Sequence, residues 1–230
     1  MQIAGSPYPF PYDDLSFATA VVVIDMQADF LLPGGYLAAM GYDLAGVRAA
    51  IPGVQRVLAA ARGVGLTIVH TRQAYRPDLA DLPPHKAFRS RRGSAPIGAP
   101  GPLGRFLIRG EPGAAIIDDV APLAGEPIVD KSANGAFCGT DLSSILTVRR
   151  IRSLILCGIT TDVCVHSTLR EANDLGYECL LVADACGSGD AEAHRGALHM
   201  MTVEGGLFGA VASSDAVAEA LSRLPRAGAP

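Results

Sequence analysis

Six short runs recur along the chain, and most of them are apolar with little interruption: residues 20–26 (AVVVIDM), 66–71 (LTIVHT), 127–131 (PIVDK), 153–158 (SLILCG), 177–184 (YECLLVAD) and 207–212 (LFGAVA). A strand with one wet face alternates apolar and polar residues. A strand that is apolar throughout is covered on both faces, which is the mark of a parallel sheet. Helical patterns lie between the runs, over roughly residues 44–64, 141–149, 162–175, 190–204 and 215–221. This alternation predicts a three-layer α/β/α sandwich around a six-stranded, mainly parallel sheet with right-handed crossovers. In such sheets the active site forms beyond the carboxyl ends of the strands.

Two stretches break the rhythm. Residues 1–18 are rich in Pro and Tyr and read as an arm lying on the surface. Residues 72–112 are long and turn-rich (PPH, SAPIGAPGP, RGEPG). So long a loop in a compact domain is usually functional or disordered, and this one is expected to cover substrate or to contact a second subunit. One domain over residues 1–230 is expected, since 230 residues are enough for one sizeable core.

Composition excludes several classes of function. The net charge of −4 offers no basic field to nucleic acid, and Arg89, Arg91 and Arg92 are too few and too local to change that. No apolar run approaches the roughly 20 residues of a membrane span. The first residues lack the layout of a signal peptide, so a cytoplasmic protein is the expectation. Five cysteines with no CxxC pair do not suggest a disulfide framework. Cys157, Cys179 and Cys186 lie in or beside strand-like runs and read as buried thiols.

Cys164 has a different setting. It follows the run 153–158 across a short turn and falls in the first turn of a predicted helix, which Thr161 or Asp162 could cap. There the helix dipole would favour the thiolate, and free amides could hold an oxyanion. The bland alternative is a small buried residue at a helix start. Asp25 and Lys131 end two other strands and should emerge at the same rim. Separately, each reads as a turn acceptor or a solvated cation. Together with Cys164 they form an acid/base, a cation and a nucleophile. His70 and His166 read as packing residues. Cys138, in NGAFCGTD, is the competing thiol, for which an apolar packing role is expected.

These pieces resemble the isochorismatase-like cysteine hydrolases over essentially the whole chain. The resemblance is carried by VVVIDMQADF with the following GGY, by VDKSANGAFCGTDL and by LCGITTDVCVHSTLREANDLGYE, in which Gly158, Thr161, Cys164, Val165, Thr168, Ala172 and Gly176 fall on the family's pattern. It implies Asp25 as general acid/base, Lys131 as electrostatic partner and Cys164 as nucleophile. It also implies a cis peptide joining Ile159 to Thr160, an oxyanion hole from the amides of Thr160 and Cys164, and substrate contacts from Phe30, Asn134 and Phe137. The family's metal-dependent nicotinamidases carry an Asp-x-His pair that this chain lacks, with DLAGV in its place and His85 standing alone. No metal and no other cofactor are therefore expected. A homo-oligomer, a tetramer by resemblance, is expected as well, since Phe10, Phe88 and Phe106 would otherwise be exposed.

Within the family the chain is most similar to biuret hydrolases and to ureidoacrylate-type amidohydrolases, through SPYPFPY, GGYLAAMGYDL, TRQAYRPDLADLPPHK and REANDLGYECLL. The implied partner is a small ureide whose C–N bond is cleaved with loss of ammonia. Glu204 stands where biuret hydrolases carry Gln. A carboxylate only accepts hydrogen bonds, so in the site it would suit a cationic ureide such as guanylurea, or it is an exposed helix-end residue. Triuret, ureidoacrylate and N-carbamoyl compounds are the alternative substrates, and a binding domain that kept the fold without the activity is the non-enzymatic one.

Overall fold

The structure is a computed structural model that describes residues 2–12 and 18–225. Its sheet has six strands: β1 Thr19–Ile24, β2 Thr67–Gln73, β3 Ile128–Lys131, β4 Ser153–Ile159, β5 Glu178–Gly187 and β6 Ala210–Ala212, in the order β3-β2-β1-β4-β5-β6. Every neighbouring pair is parallel. The main helices are α1 Ile51–Val64, α2 Pro84–Ser90, α3 Leu142–Val148, α4 His166–Asp174, α5 Ala191–Met201 and α6 Ser214–Ser222.

Period-two alternation divides each central strand between two cores. Val21, Val23, Ile155 and Cys157 pack with α1 and α6, whereas Ala20, Val22, Leu154 and Leu156 pack with α3 and α4. Both faces of the sheet are thus covered, as the uninterrupted apolar runs require. From β1 the chain builds outward through β2 and β3 on one side. It returns to build β4, β5 and β6 on the other. The order reverses between β1 and β4, and at such a switch point the strand ends leave a crevice.

Several boundaries differ from the sequence reading. The helix expected over residues 44–64 is two pieces, Leu44–Arg48 and α1, and the last run forms a strand only over Ala210–Ala212. The arm does more than lie on the surface. Ile3 and Phe10 pair with each other and are fully buried, while Ser6 adds two backbone hydrogen bonds to Val211. That pairing covers the exposed edge of β6. Residues 1 and 13–17 of the expected arm lie outside the described residues. Phe10 and Phe106 are buried within the chain, so they provide no exposed apolar surface for a second subunit, whereas Phe88 is 57% exposed.

Residues 72–112 are also less irregular than expected. They contain α2 and a two-residue hairpin pairing Pro100 with Arg105. Asp29 ties the segment to the body, accepting from the Leu107 amide at 2.8 Å and the Tyr36 amide at 3.3 Å.

Candidate active site

Asp25 is the first residue past β1, and its φ of 51° turns the chain out of the strand. Aspartate is one of the few residues other than glycine that tolerate this left-handed region. Its Oδ1 accepts from the Thr71 hydroxyl at 2.6 Å, which fixes the carboxylate against β2. Lys131 closes β3 and sends Nζ to within 2.8 Å of Asp25 Oδ2. The same ammonium donates to Gln73 Oε1 at 2.7 Å and to the carbonyls of Asn134 at 2.9 Å and Ala133 at 3.2 Å. Asp25 and Lys131 are 0% and 1% exposed, so this is a buried ion pair. Oδ2 nevertheless takes no well-aligned hydrogen bond from the protein. It keeps a lone pair that can accept a proton.

Cys164 reaches the pair from β4. Gly158, at φ 116°, lets β4 come close to β1: a Cβ there would stand 2.1 Å from the Ile24 carbonyl oxygen. The peptide joining Ile159 to Thr160 is cis. Residues Thr161–Val165 then form a π-helical turn before α4 begins at His166. The expected capping by Thr161 or Asp162 does not occur: Thr160 occupies the cap position and no side-chain cap bond forms. The fully buried Thr161 instead places its hydroxyl 2.8 Å from His194 Nδ1 on α5. The Thr160 amide has no backbone acceptor among the described residues.

Burial reverses the expected effect of the helix start on the thiol. Burial pushes Cys164 up to about 12, Lys131 pulls it down and Asp25 raises it further. Desolvation of the thiolate outweighs the pull of Lys131, so the resting group is a neutral thiol. Burial also works against the charge of Lys131, but Asp25 and then Cys164 outweigh it and hold the lysine above its ordinary pKa. At rest the Lys131 ammonium therefore stands beside a protonated thiol.

A cavity of about 460 Å³ opens over Cys164. Phe30, Tyr36 and Tyr75 supply aromatic wall, with Phe30 edge-on to Tyr36 at 6.1 Å between ring centroids. The 72–112 segment, which supplies Tyr75, also contributes Lys86, Arg89 and Ile97 to the lining.

Phe30, Asn134, Thr160 and Cys164 all line this cavity. Phe137 does not: its ring packs 5.7 Å from that of Tyr177. Glu204 is a second departure. The preceding helix ends at Met201, and three successive left-handed residues, Glu204, Gly205 and Gly206, reverse the chain. The Glu204 carboxylate is exposed and outside the cavity. Cys138 is exposed rather than packed in an apolar setting, whereas Cys157, Cys179 and Cys186 are buried as expected. His70 is buried with Nε2 3.0 Å from Glu126 Oε2. Asp43, in the stretch that lacks the nicotinamidase pair, accepts from the Ala45 amide and caps a short helix. No group of three potential metal ligands comes together among the described residues, and no helix there is long and apolar enough to cross a membrane.

Four supporting residues escaped the sequence reading: Thr71, Gln73, Lys86 and His194. Thr71 and Gln73 carried a signal, since polar residues at the end of the apolar run LTIVHTRQ need buried partners. The other two lie in segments with no strand-end position to mark them.

Comparison with known proteins gives a consistent result. The Isochorismatase domain family matches residues 19–216. Ureidoacrylate amidohydrolase RutB of Azorhizobium caulinodans is 36% identical over 175 residues, spanning 73% of this chain and 75% of that protein. Among solved structures, a cysteine hydrolase from Pseudomonas syringae pv. phaseolicola 1448A superposes with a TM-score of 0.77 at 26% identity, covering 90% of this chain and 93% of that one. N-carbamoylsarcosine amidase from Thermoplasma acidophilum superposes with a TM-score of 0.64, also at 26% identity, covering 86% and 96%.

Proposed function

We propose that this chain, which belongs to the isochorismatase family, is a cysteine amidohydrolase that cleaves a C–N bond of a small urea-type compound, with residues 1–230 acting as one catalytic domain. The observation that carries the reading is the convergence of Asp25, Lys131 and Cys164 beyond three strand ends, with Cys164 opening on the cavity.

In this reading Asp25 Oδ2 takes the thiol proton as the Cys164 sulfur attacks the carbonyl carbon. Lys131 offsets the negative charge that the proton transfer leaves among the three groups, and the Thr160 and Cys164 amides receive the oxyanion. Collapse expels the amine, which leaves with the proton from Asp25. Water then attacks the carbonyl of the thioester-like intermediate and returns the cysteine as a thiol. A carbamate product decomposes to ammonia and carbon dioxide, so ammonia reports cleavage on either side of the urea carbonyl.

A ureido acid is the preferred substrate class. The family members compared above include an amidohydrolase named for ureidoacrylate and an amidase named for N-carbamoylsarcosine. Lys86 and Arg89 line the cavity, while Glu204, the group that would pair with the cationic end of guanylurea, does not. Of the acidic wall residues, Asp190 already caps α5 through the amides of Glu192 and Ala193. Biuret, triuret and guanylurea form the second tier.

The test is ammonia release from ureidoacrylate, N-carbamoyl amino acids, biuret, triuret and guanylurea, with Cys164→Ser as control. The ureido acids should react fastest, and the serine variant should keep its fold with under about 1% of turnover. Silence across the panel would refute the activity and leave an inactive binding protein of the same fold. Full turnover by the serine variant would remove the nucleophile. A homo-oligomer, a tetramer by family resemblance, is part of the proposal, and light scattering that returned only a 23.8 kDa species would refute it.

A further inference from the structure

Lys86 lies on α2, within the segment that covers the cavity, and contributes to the same wall as Arg89. Its ammonium has three N–H donors and no acceptor. Two donors are used, on the Ser132 carbonyl at 2.8 Å and on Asn134 Oδ1 at 3.0 Å. Both acceptors are neutral. Lys131, Arg62, Arg72 and Arg109 each stand within ion-pair distance of a carboxylate, whereas among the described residues Lys86 has none. A partly buried cation without a counter-charge is costly, and burial, followed by the neighbouring charge of Lys131, lowers its pKa. A charge at Cys164 acts on Lys86 in the opposite, favourable sense.

Lys86 is also held in place. Its two anchors belong to residues 132–134, and the Ala133 and Asn134 carbonyls of that loop accept from Lys131. Both lysines therefore grip one short loop, and Lys86, which also lines the cavity, keeps one N–H beyond its two anchors.

From this arrangement we infer that Lys86 is a specificity-determining residue, selecting substrates that carry an acceptor oxygen, carboxylate or carbonyl, beyond the scissile amide. The inference rests on the amidohydrolase reading above and deepens it. A charge-assisted bond to a carboxylate is stronger than one to a neutral carbonyl. A site built to donate to an acceptor discriminates strongly against an analogue that lacks it.

Three matched substrates separate the cases: N-carbamoyl-β-alanine, its primary amide and n-propylurea. Lys86→Met should lower kcat/KM about 100-fold more for the first than for the third, and about tenfold more for the second than for the third. Lys86→Arg should recover much of the loss for the carboxylate. An equal loss on all three would overturn the inference, because it would mean that Lys86 merely pins Asn134.

A second arm does not depend on turnover. In a Cys138→Ser background, which removes the exposed competing thiol, alkylation of Cys164 by iodoacetate and by iodoacetamide is followed by peptide mass spectrometry. Lys86→Met and Lys86→Gln should each lower the iodoacetate-to-iodoacetamide rate ratio at least fivefold, with the iodoacetamide rate changed less than twofold. An unchanged ratio overturns the inference whatever the substrate panel shows. A lowered ratio with no ureide turned over would uphold the anion-reading lysine and refute the ureide activity.

Discussion

Removing the charge of Lys131 should destabilise the protein more than almost any other single change, and removing Asp25 as well should restore most of the loss. Nζ and Oδ2 are 2.8 Å apart and both groups are buried. At an effective dielectric constant of 20 their attraction is about 6 kcal/mol. Desolvating the two ions costs several kcal/mol each, so the intact pair contributes little net stability. Removing one partner leaves the other charge stranded, at about 3–5 kcal/mol. Lys131→Met and Asp25→Asn should each fall in that range. The double variant retains only the loss of donors to Gln73, Ala133 and Asn134, which Lys131→Met alone shares and which therefore cancels from the cycle. The resulting coupling is at least about 3 kcal/mol. The chain has no tryptophan, so urea unfolding is best followed by far-UV circular dichroism. All three variants should be inactive whatever their stability. The reasoning fails if the single losses add to within about 0.5 kcal/mol, or if Lys131→Met costs less than about 1 kcal/mol.

Three other expectations concern acid stability, the nucleophile turn and metal dependence. Burial works to raise the Glu126 pKa, but Arg62, the Leu123 amide and His70 hold it at about 2, against 4.5 ordinarily. This depressed carboxylate stabilises the fold fully above pH 4.5 and loses its effect as pH falls towards 2. Its contribution is roughly 3 kcal/mol before solvent screening and about 2 after it. Denaturation midpoints of wild type and Glu126→Gln should therefore differ at pH 7 and converge below pH 3; parallel curves would refute the assignment. His194→Ala should leave the buried Thr161 hydroxyl unpaired and cost about 1–3 kcal/mol, with kcat falling more than KM changes. His194→Asn, whose amide reaches the Nδ1 position, should recover part of both, and equal effects of Ala and Asn would count against the bond. Prolonged EDTA treatment should leave turnover unchanged, since no ligand cluster assembles among the described residues; a loss restored by zinc or iron would show a site formed elsewhere.

The layer architecture and the rim position of the site were legible in the chain itself. Runs such as AVVVID and SLILCG are apolar at every position that must face a helix layer, and helices on both sides of a parallel sheet bury both faces of such strands. Strand-end positions likewise marked Asp25, Lys131 and Cys164, because the carboxyl ends of parallel strands share one edge. The state and surroundings of these groups depended on long-range contacts that no local pattern encodes. The context of Cys164 as a predicted helix start pointed to an easily formed thiolate, whereas burial against Asp25 keeps it protonated. Glu204 stood beside two glycines in a segment that read as a helix end leading into the site, yet its left-handed turn places it in solvent. Lys86 lay in a proline-rich stretch without periodicity, and it enters the cavity wall because residues 72–112 fold back over the sheet edge and anchor on residues 132–134. Periodicity and strand ends are properties of a few consecutive residues. Protonation, exposure and donor counts are set by groups tens of residues away, and the tertiary structure alone brings those together.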